Sequence, residues 1–182
     1  MTTKAERTAS RILDVALDLF ERDGYEATTV ARIAADAGVS EMTFFRHFGS
    51  KEAVLLDDPY DPVIAEAVAA QPRDLSPLAR AVAGFRASWA RVPDGGATVR
   101  RRLRLAADPA LRGGVTRNTL ATERVVAEQL IADGADPAEA RIAAAALLAA
   151  MMAALLDWAT ADDDRPMGAA IERALDVLGS AS

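Results

Sequence analysis

Ile33-Ala34-Ala35-Asp36-Ala37-Gly38-Val39-Ser40-Glu41-Met42-Thr43-Phe44-Phe45-Arg46-His47-Phe48, followed by Ser50-Lys51, decides how this 182-residue chain is read. The pattern predicts a short helix, a tight turn at Gly38, and a second short helix capped by Ser40. On a helix over 41–48, Phe44 and Phe48 stand one turn apart and face a core. Met42, Thr43, Phe45 and Arg46 then project away from that core, with Glu41 and His47 at its margins. Such a helix-turn-helix can place its second helix in the major groove of DNA.

The flanking sequence supplies the support this motif needs. Ile12, Leu13, Ala16, Leu17 and Phe20 recur at helical spacing and predict a first helix over about 5–22, stopped at Asp23-Gly24. Thr28 or Thr29 caps the second helix, whose Val30, Ile33, Ala34 and Ala37 face inward. Ser50 caps a fourth helix from about Lys51, which Asp57-Asp58-Pro59 and Pro62 break or restart.

The exposed residues of the second motif helix have distinct chemistries. Arg46 suits a bidentate contact to guanine, Glu41 can accept from cytosine N4, and Met42 or Phe45 can touch a thymine methyl. Thr29, Thr43, His47 and Lys51 offer donors for phosphate oxygens, which orient a module without reading sequence. Lys4, Arg7 and Arg11 can add phosphate charge. The competing reading is a helical packing module whose polar face is simply solvated.

Thr28-Thr29-Val30, Ile33-Ala34, Ala37-Gly38-Val39-Ser40, Thr43-Phe44-Phe45-Arg46-His47-Phe48 and Ser50-Lys51-Glu52 together resemble the N-terminal domain of TetR-type transcriptional regulators. The resemblance covers about residues 8–56. It implies a homodimer with paired recognition helices, usually a repressor, and a C-terminal ligand-sensing domain. It also implies that Thr29, Thr43, His47 and Lys51 contact phosphates and that Glu41, Met42, Phe45 and Arg46 face bases. Phe45 stands where the family commonly has tyrosine, so one phosphate hydrogen bond is missing.

Charge is distributed unevenly. The chain has a formal net charge of -6, and its first 56 residues hold seven bases against nine acids. Residues 73–124 hold eleven arginines and four acids, whereas residues 125–182 hold ten acids and three bases. DNA binding by so acidic a module requires a local cationic face. With no cysteine and one histidine, thiolate and ordinary zinc sites are excluded. No nucleophile–base pair points to an enzyme, and no cofactor is implied.

Beyond a boundary near Glu52–Asp58, helices are expected at 63–71, 76–91, 97–107, 116–133, 137–160 and 166–179, separated by Gly- and Pro-containing punctuation that includes Gly113-Gly114 and Asp162 to Pro166. Arg101-Arg102-Leu103-Arg104-Leu105, with Pro109-Ala110-Leu111-Arg112 and Glu123-Arg124, looks similar to actinobacterial regulators that have an acyl-CoA-type ligand domain. With Val99, Leu103 and Ala106 facing inward, Arg100, Arg101 and Arg104 project outward. Such a run usually forms a solvated face or pairs with acids, here those of the C-terminal third; less often it grips an anionic ligand. Phe85, Trp89, Arg102, Leu103, Met151, Leu155 and Trp158 are candidates to line a ligand cavity, beside the plainer reading that each is core.

Ile142 to Leu156 is apolar but short and alanine-rich, and reads as a helix buried in protein rather than a membrane span. With Ile171, Leu175 and Leu178 it can form a four-helix dimer interface, or sit wholly inside one subunit. Met1 to Ser10 lacks the apolar run of a signal peptide, so a cytoplasmic protein is expected. The sequence thus predicts an all-α chain with a DNA-binding domain over 1–52 and a larger ligand-binding and dimerisation domain over 53–182. The expected partners are operator DNA, a small apolar effector and a second copy. A helical interaction protein that no longer binds DNA, and an enzyme using an apolar cavity, are the alternatives.

Overall fold

A computed structural model of the chain describes residues 3–56, 61–91, 96–108 and 111–180. Among these are ten α-helices and no strand: α1 Lys4–Asp23, α2 Val30–Asp36, α3 Glu41–Phe48, α4 Ala53–Leu56, α5 Asp61–Ala69, α6 Pro77–Trp89, α7 Gly96–Ala106, α8 Arg112–Ala132, α9 Pro137–Thr160 and α10 Met167–Gly179. They form two compact units, one of Met1–Asp57 with Arg101–Gly114, the other of Asp58–Arg100 with Val115–Ser182.

Local chemistry sets the element ends of the first unit. Thr3 and Glu6 close a capping box that starts α1 at Lys4, one residue before the expected start. Gly24, at φ 87°, donates its N–H to the Phe20 carbonyl and stops the helix. Thr29 is the residue that caps α2, accepting from the Arg32 N–H at 3.2 Å; Thr28 is buried and donates its hydroxyl to the Gly24 carbonyl at 2.8 Å. At the motif turn, Gly38 adopts φ 64°, and bonds from Gly38 to Ala35 and from Val39 to Ala34 make a Schellman exit. The Ser50 hydroxyl oxygen accepts from the Ala53 N–H at 3.0 Å, so α4 starts two residues later than the composition suggests. The break at Asp57-Asp58-Pro59 lies outside the described residues, while Pro62 sits in the first turn of α5, where its missing N–H costs nothing.

Ile12, Ala16, Leu17, Leu19, Phe20, Ile33, Ala37 and Phe44 form the core of this unit, completed by Val54, Leu55 and Leu111. Leu19 breaks the simple periodic face, and Leu111 comes from the far side of the chain. The segment Arg101–Gly114, expected with the second domain, packs here. Gly113-Gly114 is not punctuation but part of the first turn of α8. A β-carbon on Gly114 would collide with the side chains of Glu52 and Leu56, so glycine permits the approach.

In the second unit α6 packs against α5, α9 and α10, and α9 packs against α10. Ala140, Ala143, Ala144 and Ala159 are among the buried residues of α9, and their small side chains let its neighbours approach closely. By length and composition α9 could cross a membrane; one face of it is covered by protein instead, and the other leaves Ile142 69% exposed. The tightest approach in this unit is at Gly84, where a β-carbon would lie 2.6 Å from the Val68 Cα. Gly84→Leu must push α5 from α6 and is expected to cost about 1–3 kcal/mol, read as a lowered urea midpoint.

Candidate functional site

The outer face of α3 is the first candidate. Its N-cap Ser40 accepts from the Thr43 N–H at 3.2 Å, and the two hydroxyls lie 3.0 Å apart. Phe44 is buried and Phe48 half-buried, their rings 5.8 Å apart, so α3 is anchored through one edge as its spacing predicts. Phe45 packs edge-on against Phe44 at 5.5 Å yet remains 46% exposed, and Met42 is 77% exposed. Met42 and Phe45, one helical turn apart, form a small exposed apolar patch that a partner can cover. Glu41, Arg46 and Thr29 are exposed; Thr43 and His47 are half-buried.

Charge pairing sorts the cations of this acidic segment. Arg22 pairs with Asp23 and Arg32 with Asp36. Arg101 reaches Asp18 and Glu21 of α1, both 2.8 Å or closer. The partners of Arg101 are therefore on α1, not among the acids of the C-terminal third. Because Arg101–Gly114 adds four arginines and one aspartate, the compact first unit holds eleven bases and eleven acids. Lys4, Arg7 and Arg11 recur along one side of α1, and they and Arg46 make no ion pair among the described residues. The first unit is neutral in sum, and among the described residues Lys4, Arg7 and Arg11 of α1 and Arg46 of α3 are cations without an ion pair.

Lys51 makes contacts that its sequence context does not announce. Its ammonium donates to the carbonyls of Tyr25 at 2.8 Å and Thr28 at 3.0 Å and lies 4.1 Å from the centre of the Tyr25 ring. Two of its three protons thus tie the segment after α3 to the turn before α2, leaving one for a phosphate. Lys51→Met is expected to destabilise the first unit by about 1–2 kcal/mol, measured by chemical denaturation.

The second candidate is a cleft of about 520 Å³ in the second unit, lined by Trp89, Arg100, Trp158, Arg165, Met167 and Gly168 among others. The Arg100 guanidinium stacks 4.4 Å from the Trp158 ring and donates to the carbonyls of Asp163 at 2.8 Å and Arg165 at 3.2 Å. The Trp158 indole N–H donates to the Arg165 carbonyl at 2.7 Å. The Asp163 carboxyl, held below the usual range first by the Arg165 backbone N–H and then by its guanidinium, ties down the same loop.

Of the seven cavity residues inferred from sequence, Trp89 and Trp158 line this cleft. Phe85 and Leu155 are half-buried and Met151 is core, all three outside the lining. Arg102 donates its Nε to the Leu55 carbonyl at 2.9 Å in the first unit, and Leu103 belongs to that unit also. Arg100, Arg165 and Gly168 were not legible as lining. Nothing in their local pattern distinguishes a residue that faces a cleft from one that faces water. Among the described residues no cluster of three potential metal ligands occurs.

Residues 12–57 match the family model of bacterial regulatory proteins of the tetR family, and residues 75–182 match the MftR C-terminal domain. The chain is 42% identical over 94 residues to the HTH-type transcriptional regulator TcmR of Streptomyces glaucescens, covering 50% of this chain and 42% of that protein. It thus aligns with less than half the length of this relative. NalD of Pseudomonas aeruginosa, the secondary repressor of the MexAB-OprM multidrug efflux pump, has a similar fold: TM-score 0.61, 22% identity and 97% of each chain covered. FadR of Thermus thermophilus, a repressor in complex with lauroyl-CoA, gives a TM-score of 0.53 at 24% identity, with 93% of this chain and 92% of that chain covered. An exposed recognition helix on a capped three-helix core, joined to a helical unit with its own cleft, is thus accompanied by family matches over both parts, and the chain belongs to the TetR family of bacterial regulatory proteins.

Proposed function

We propose that the chain is a cytoplasmic, homodimeric transcriptional repressor released from operator DNA by a small molecule bound in its second unit. The observation that carries this reading is the outer face of α3, where Met42, Phe45 and Arg46 stand exposed on a helix whose other edge is locked by Phe44. Arg46 reads guanine, Met42 and Phe45 meet thymine methyls, and Glu41 accepts from cytosine. Thr29, Thr43, His47 and the remaining Lys51 proton hold phosphates. The DNA-reading part corresponds to about 1–52, with 53–182 carrying effector and dimer contacts.

Ile171 and Leu175, expected at a dimer interface, are buried within this unit, so dimerisation through α9 and α10 is supported instead by the exposed apolar residues of these helices. Ile142 near the start of α9 and Val177, 63% exposed near the end of α10, share one end of the antiparallel hairpin these helices form. A twofold dimer presents the two α3 helices to successive major grooves about 34 Å apart. Effector binding can act through α7, whose Arg100 lines the cleft while Arg101 holds Asp18 and Glu21. It shifts the DNA-competent population only by binding the two arrangements unequally.

A promoter fused to a reporter tests the repressor directly. Deleting the gene is expected to raise expression from the promoter it controls, and restoring the Thr43→Ala, Arg46→Ala variant should not lower it again. A fall in reporter activity on deletion contradicts repression.

A further inference from the structure

The cleft of the second unit offers a ligand flat surfaces and hydrogen-bond donors. Both tryptophans of the chain line it. Trp158 is buried with the Arg100 guanidinium carbon over its ring, 4.4 Å from the centroid, so a cation–π pair already exists in the wall. The Arg100 N–H groups bond backbone carbonyls, and among the described residues no carboxylate forms an ion pair with it, the Asp163 carboxylate only feeling its charge. Trp89 is half-exposed, and its indole N–H has no acceptor among the described residues. That N–H lies 3.7 Å from where a β-carbon of Gly168 would sit, at a helix start that Pro166 leaves without a side-chain cap. Asp164 is the single acid among the described lining residues.

Donors without acceptors beside stacked planes define a ligand. We propose that this cleft binds a planar aromatic carboxylate, its ring system against Trp89 and the Arg100–Trp158 stack and its carboxylate on the Trp89 N–H and the start of α10. The assignment rests on the effector-responsive reading above and adds the chemical class. Guanidinium and indole planes favour stacking on flat rings, and a carboxylate supplies the acceptors these donors lack. The volume falls within the range of small-molecule sites. A flexible alkyl chain would find Ala90, Ala97, Pro166 and Met167 as the aliphatic side chains along this wall and could not stack on its planar groups.

Because both tryptophans border the cleft, intrinsic fluorescence of the purified full chain reports occupancy without DNA. Three probes separate the chemistries: 2-naphthoate, its neutral isostere 2-naphthamide, and decanoate, which keeps the charge on a flexible chain. The expected result is a Kd for 2-naphthoate at least tenfold below those of the other two. Gly168→Leu, whose β-carbon meets only an ordinary contact, is expected to fill the cleft and weaken 2-naphthoate at least tenfold with an unchanged melting temperature. Trp89→Leu, followed by calorimetry, should do the same and serves if Gly168→Leu is misfolded. Decanoate or the amide binding as tightly as 2-naphthoate, or unchanged affinity in a folded variant, overturns the assignment, as does no binding at all. Operator binding is scored separately: its failure with 2-naphthoate binding intact sinks the repressor and leaves this site standing.

Discussion

Asp133→Ala is expected to destabilise the second unit by about 3 kcal/mol, the cost of removing one partner from a buried ion pair. Arg80 is almost wholly buried; it donates to Asp133 at 2.7 Å and to the Val68 carbonyl at 3.2 Å, while its Nε has no partner. Asp133 also accepts from Gln129 at 3.0 Å and from Arg73 at 3.0 Å. One carboxylate therefore joins α6, α8 and the segment before α6. Without it a desolvated guanidinium remains among apolar neighbours. The double variant Arg80→Met, Asp133→Leu should lose less than Asp133→Ala alone, because no charge is then stranded. Urea denaturation checks both, and equal losses would mean the pair is not electrostatically coupled.

The same pair predicts a pH dependence. The Asp133 carboxyl is held below the ordinary aspartate value, chiefly by the Gln129 amide and next by Arg80. A carboxylate depressed in the folded state contributes stability that is fully present above its unfolded pKa, about 4. That contribution disappears as pH falls through the lower folded value. The stability gap between parent and Asp133→Ala should therefore be constant from pH 5 to 8, ranges chosen well above about 4, and narrow only at more acid pH.

Arg46→Ala is expected to cost about 1–3 kcal/mol of discrimination at each half-site while leaving the melting temperature unchanged. Its side chain is exposed and makes no ion pair or hydrogen bond among the described residues, so the fold loses nothing with it. Arg11→Ala makes the contrast. A phosphate contact carries no sequence information, so its loss should weaken operator and unrelated DNA alike and reduce the salt slope by about one ion. Titrations on both DNAs at two salt concentrations separate the roles. Equal loss on both DNAs for Arg46→Ala would reassign it to the backbone.

What could be read from the chain alone follows the range of the interactions involved. The helix-turn-helix was legible because its determinants are local: Ser40 as a cap, Gly38 in the left-handed region, and Phe44 and Phe48 one turn apart. The α9 limits, Pro137–Thr160, match the expected span because Asp136 caps one end and a proline follows it. Long-range placements were hidden. Arg101 pairs with acids eighty or more residues upstream and Leu111 joins a core whose other buried members end at Leu55, and no periodicity in α7 distinguishes Arg101 from Arg100. The carbonyl bonds of Lys51 were hidden for the same reason, since their acceptors lie more than twenty residues upstream. Cavity residues were the least legible, since Met151 and Trp89 have the same apolar character yet one is core and the other lines a cleft.

The central claim is that α3 reads a specific DNA sequence. The most direct measurement is selection of fragments of the organism's own genome by the purified chain, with excess competitor DNA, followed by sequencing of what is retained. The account predicts enrichment of a small set of sites with twofold symmetry, their half-sites about one helical turn apart, lost with Arg46→Ala. Fragments retained in proportion to their abundance, with Arg46→Ala indistinguishable from the parent, would contradict it.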